Sequence, residues 1–164
     1  MLSAEPTLAG QLREASPPLL LAPLVRPRLS HDASVGVDLI LEGFLAHHGT
    51  PRYLRPGDRI GGGVLAGDYC YATGLVAVAG DGDLTVIRVL ADLVAVSAVL
   101  VSDGRRDRLA SFWSAAVATI AGVRGPEVDR AWDDLASRML DGTASDESTP
   151  PKGLDLDALE AVFA

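Results

Sequence analysis

Cysteine, lysine and aromatic residues are all scarce in this chain of 164 residues. The single cysteine, Cys70, cannot close an intrachain disulfide, so the framework of small disulfide-rich secreted domains is excluded and a cytoplasmic, reducing location is expected. Lysine occurs only as Lys152; the other 13 basic residues are arginines, which with abundant Ala, Val and Gly fits a GC-rich coding bias. Cations are outnumbered, 14 against 22 acids, and the net charge of −8 excludes a nucleic-acid binder that works by neutralising phosphates. The first residues, MLSAEPTLAGQLREAS, carry Glu5 and Glu14 and no basic segment, so no signal peptide is expected.

What the chain does have is apolar residues, 48% of the total, enough at this length for a buried core without disulfide or metal. Residues 32–48 repeat Val35, Leu39, Ile40, Phe44 and Leu45 on one helical face, with Ser30 or Asp32 as the N-cap candidate. Gly49, Pro51, Pro56 and Gly57 then mark a loop. Residues 60–79 and 84–101 are almost continuously apolar, interrupted by Gly80-Asp81-Gly82-Asp83. Runs of this length are too long for typical strands and predict a hairpin of two buried helices. They are also long enough to span a bilayer, but Asp68, Arg88 and Asp92 would make spanning costly.

Residues 105–123 predict a further helix, and Pro126 with Glu127 and Asp129 opens another that runs to Leu140, with Gly142 at its end. The expected architecture is an all-α antiparallel bundle of five or six helices over residues 1–142. A disordered linker at 143–153 and a short amphipathic arm at 154–164 follow. In that arm Leu156, Leu159, Val162 and Phe163 share a side and offer either a partner-docking surface or a helix that folds back on its own domain.

The segment Leu65-Ala66-Gly67-Asp68-Tyr69-Cys70-Tyr71-Ala72, preceded by Gly49-Thr50-Pro51, resembles the trans-isoprenyl diphosphate synthases. In that all-helical family an aspartate-rich helix is followed by an RRGxP loop and a helix opening with a segment like LAGDYLLA. The resemblance covers residues 32–101 and implies an isoprenoid-synthase-like fold, similar to the family's N-terminal part. This chain departs from the pattern where chemistry is done. The stretch VDLILEGFLAH holds Asp38 and Glu42 but no DDxxD, and His47-His48 stands in place of the paired arginines. Two acids at i and i+4 do not make the family's magnesium-binding cluster, and imidazole is a poorer diphosphate clamp than guanidinium.

A non-catalytic accessory or interaction protein, with a protein partner or a homodimer, is therefore the expected function. Its alternative is a carrier of a small hydrophobic or prenyl-diphosphate ligand. The ligand-site candidates are Glu42, His47, His48, Asp68 and Tyr69; no cofactor, metal site or transmembrane segment is expected, and peripheral membrane association is left open. Glu42 with the two histidines reads either as part of a metal site or as a polar helix end. Asp68 reads either as a buried functional acid with Arg88 or Arg59 as partner, or as a structural ion pair. Gly63, Gly67 and Gly74 would permit a close helix crossing.

Overall fold

The computed structural model describes residues 12–14, 17–55, 60–122, 125–144, 154 and 156–164. Among these residues the chain is all-helical, with seven α-helices and no strand; one isolated antiparallel bridge joins Leu12 to Leu54. The helices are α1 (Ala22–Val25), α2 (His31–His48), α3 (Ile60–Ala79), α4 (Leu84–Ser102), α5 (Leu109–Ala121), α6 (Pro126–Asp141) and α7 (Leu156–Phe163). Six of them lie within residues 1–142, matching the number expected there, and the seventh, α7, forms from the C-terminal segment. The expected helix over 105–123 divides into a 3-10 turn, Arg106–Arg108, and α5. Most of the expected linker, residues 145–153, lies outside the described residues, as does Arg59.

α2 starts where its sequence says: Ser30 caps it by accepting a hydrogen bond from the Ala33 N–H at 3.2 Å. It then runs through the centre of the molecule, with residues 36–45 all buried. Its tightest neighbour is α3, antiparallel to it, and glycine on both helices permits the approach. A Cβ on Gly74 would lie 2.6 Å from the Gly36 carbonyl oxygen, and one on Gly43 would lie 2.9 Å from that of Gly67. Gly67 and Gly74 thus do what the sequence suggested, whereas nothing lies within 4 Å of a Cβ on Gly63.

α4 is capped by Asp83, which accepts from the Thr85 and Val86 N–H groups. Among the described residues α4 is the one helix long and apolar enough to cross a membrane. Its two charges are both turned toward α6. Arg88 pairs with Asp129 at 3.5 Å and with Asp133, and Asp92 accepts from the Trp132 indole at 3.0 Å. Trp132 stacks on Phe112 of α5, and the Trp113 indole donates to buried Ser97 at 3.1 Å, so the two tryptophans tie α4, α5 and α6 into one core.

Two neighbouring arginines close helix ends. Arg105 donates to the carbonyls of Met139 and Leu140 at the end of α6, and Arg106 to that of His48 at the end of α2. Cations at the negative ends of helices complete groups that would otherwise lack partners. Gly142, in the left-handed conformation at φ 78°, terminates α6 as expected.

Candidate functional site

Asp38 and Glu42 stand one turn apart on α2, and each is fully buried. Asp38 accepts from three consecutive N–H groups, those of Leu20 (2.9 Å), Leu21 (3.1 Å) and Ala22 (2.6 Å). These open α1, whose own N-cap residue, Leu21, makes no side-chain cap. Glu42 does the same for the loop after α2, accepting from Arg52 (2.8 Å), Tyr53 (2.8 Å) and Leu54 (2.9 Å). A buried carboxylate is costly unless hydrogen-bonded, and here backbone donors meet that need twice.

Arg52 links the two. Its guanidinium reaches Asp38 at 3.4 Å, the Tyr53 hydroxyl at 3.1 Å and the Pro18 carbonyl at 2.7 Å. Burial pushes the Asp38 carboxyl above the usual carboxylate range, against the opposing pull of its N–H donors and Arg52. Burial, with Asp38 beside it, pushes the Tyr53 hydroxyl up to about 12.

The proposed ligand residues separate in space. Glu42 is turned to the 52–54 loop rather than to the histidines, so the metal reading of Glu42, His47 and His48 is not supported; among the described residues no three His, Cys, Asp or Glu side chains converge on a metal-sized site. His47 and His48 themselves diverge. His47 stacks on Tyr71 at 5.5 Å and pairs with Asp68 at 3.1 Å, while His48 packs against Phe44 at 4.8 Å. Burial, with His47 and Arg106 nearby, lowers the His48 basicity.

Asp68 is not the buried acid that its apolar helix suggested. Its side chain is 64% exposed and its partner is His47, while Arg88 pairs with Asp129 and Asp133 of α6 instead. The reason is that α3 buries only the side facing α2. Tyr69 is half-buried beside a small cluster of Leu54, Ala66 and Cys70. Burial, with Glu42 nearby, pushes the Cys70 thiol up to about 12, leaving an inert core residue.

The arm residues are already occupied within the chain. Leu159 and Phe163 are buried in the main core, and Phe163 meets Phe44 at 6.0 Å and Trp113 at 5.8 Å. Val162 is half-buried, and Leu156 opens the helix. Of the two readings left open for this arm, Leu159 and Phe163 take the fold-back, packed in the core of their own domain.

A cleft of about 540 Å³ lies between α7 and the Gly49-Thr50-Pro51 loop, lined by Arg13, Thr50, Arg52 and Val162 among others. Its two guanidiniums are engaged: Arg13 donates to the Leu54 and Pro51 carbonyls, and Arg52 to the partners already given. The sequence reading missed the importance of Asp38, Arg52 and Tyr53. The available signal was a pair of acids one turn apart in an otherwise apolar helix, since buried acids require donors from elsewhere.

A feature without a use among the described contacts is the outer side of α3. Val64, Leu65, Leu75 and Val76 are exposed there, at 65% for Leu65 and 74% for Val76; Leu84, which opens α4, is exposed as well. No protein-family model, curated protein or solved structure matches this chain.

Proposed function

We propose that this chain is a non-catalytic helical interaction protein, an accessory subunit similar to the N-terminal part of a trans-isoprenyl diphosphate synthase, and that α3 presents its binding face. The observation that carries the reading is the uncovered apolar side of α3. Contiguous exposed aliphatic surface mostly marks sites of protein contact, and the opposite side of the same helix is fixed by glycine-to-backbone contacts that hold it in place. Asp38 and Glu42 add support, because every polar direction they offer is taken by backbone N–H groups and Arg52 rather than turned to a cleft. The resemblance itself rests on Gly49-Thr50-Pro51 after α2 and on the LAGDYCYA segment of α3. Arg13 and Arg52, engaged with carbonyls, favour the interaction reading over an anionic ligand.

Photo-crosslinking residues placed at Leu65 and Val76, with Asp134 on α6 as the control position, test this in the native cell. Protein adducts are expected at the two α3 positions and not at the control. Absence of adducts at all three, or equal labelling of all three, removes the reading.

A further inference from the structure

α7 fills its place incompletely. Its anchors Leu159 and Phe163 hold it in a trough between α5, α2 and the Gly49-Thr50-Pro51 loop, where Phe163 reaches Phe44 and Trp113. Clefts stand open on both flanks. One, of about 460 Å³, lies between Glu160, Phe163 and Ala164 of α7 and Arg106 and Ala110. The other is the cleft of about 540 Å³ between Ala161 and Val162 and the loop. At 100° per residue the α7 residues lining the two clefts project roughly 150° apart, so they lie on opposite sides of the helix. Both spaces are of a size that bound groups fill, yet α7 sets only alanine there beside its larger residues, Ala161 on one side and Ala164 on the other.

Charge narrows what fits. The chain carries a net charge of −8, but both clefts carry arginine: Arg106, beside Asp107, in the first and Arg13 and Arg52 in the second. Arg106 donates to the His48 carbonyl, and Arg13 to those of Pro51 and Leu54, bonds to neutral groups that leave the positive charge standing. Arg52 reaches Asp38. α7 is the complement, with the acids Asp157 and Glu160 and no basic residue.

We propose that this trough is a docking site for an acidic amphipathic helix of another protein, bulkier than α7 beside its anchors, and that α7 occupies the site as a displaceable plug. Helices that lie in grooves are read through apolar anchors three or four residues apart, and Leu159 and Phe163 are such a pair. A tethered segment meets its own groove at a local concentration of order millimolar. A partner therefore displaces it only by making contacts that α7 lacks, and the open flanks are where those contacts are to be had. The trough shares no residue with the outer side of α3, so the two faces are separate.

Two peptides serve as probes: residues 154–164 as they stand, and the same segment with Ala161→Leu and Ala164→Leu. Added to isotope-labelled full-length protein and followed by NMR, the bulkier peptide should move the chain's own Leu159 and Phe163 amides to unstructured positions while the middle of α2 stays in place. The unmodified peptide should need at least about ten times the concentration. A full-length variant with Leu159→Ala and Phe163→Ala, its plug weakened, should bind either labelled peptide at least about ten times more tightly than the wild-type chain does in fluorescence anisotropy. Asp157→Lys and Glu160→Lys in the bulkier peptide should weaken its binding several-fold, and its affinity should fall as salt rises from about 0.05 to 0.5 M.

α7 amides that stay in place at about 1 mM of the bulkier peptide, shifts confined to another surface, or equal affinity for the acidic and lysine peptides overturns the proposal. The NMR measurement on the wild-type chain decides it even where the double variant fails to fold. Neither result bears on α3, whose crosslinking test is separate.

Discussion

Asp38 and Glu42 each hold three backbone N–H groups, two of them in the interior, and removing either acceptor strands that buried pair. Leaving a buried donor unsatisfied costs about 1–3 kcal/mol, so Asp38→Ala and Glu42→Ala should each lose at least about 2 kcal/mol in urea unfolding. A loss below about 1 kcal/mol would show the loops held by other contacts. The pH dependence at this scale has two opposed parts. The Asp38 carboxyl is raised by burial, so its contribution is complete below the unfolded value of 3.8 and is lost as pH rises through the folded value. His48 is lowered, first by burial, so the stability it permits is complete above the unfolded value of 6.5 and is lost as pH falls through its folded value. The melting temperature of the wild-type chain is therefore expected to decline as pH falls below 6.5, and His48→Gln should flatten that decline. An unchanged slope would assign the decline to other groups.

At the scale of elements, much of the fold is legible in the sequence, and the exceptions have a common cause. α2 and α6 follow from periodicity, caps and proline placement, which act within a few residues, and α3 and α4 from apolar runs too long for strands. α1 is not legible, since its N-terminal donors are satisfied by an acid on another helix. The exposure of Asp68 and its pairing with His47 were not legible, because the uniformly apolar sequence of α3 does not say which of its sides is covered; the glycine contacts with α2 do. Those contacts reverse an ordinary substitution rule. Gly→Ala inside a helix gains about 1 kcal/mol from propensity, and Gly63→Ala, with open space around it, should show that gain. Gly74→Ala places a methyl group 2.6 Å from a backbone oxygen and 2.8 Å from Ile40, and overpacking of that kind costs about 1–3 kcal/mol. Thermal melts of the two variants should shift in opposite directions; a rise for both would mean that α2 and α3 separate without penalty.

For the whole molecule, the terminal helix decides how far the core extends. α7 has eight residues, too few to be stable alone in water, and it persists because Leu159 and Phe163 complete the apolar interior around Phe44 and Trp113. Phe163→Ala should cost about 3–5 kcal/mol, the usual penalty for emptying a buried aromatic site, measured as a lower urea midpoint. A near-neutral result would return α7 to the status of a loosely held arm. The candidate site was legible only as an inventory of polar residues. Which of them meet, His47 with Asp68, Glu42 with the 52–54 loop, is set by the way α2 and α3 cross, and no spacing rule within one segment encodes a crossing.

The two acids on α2 also have a consequence in time. Loop amides ordinarily exchange with solvent quickly, because loops open without the rest of the chain. Here the amides of Leu21, Ala22, Tyr53 and Leu54 are bound to side chains rooted in the central helix. They can open only when α2 itself opens or when a carboxylate is left bare in the interior. Hydrogen exchange should therefore find these four amides, outside any long helix, among the slowest in the molecule, exchanging in step with the middle of α2.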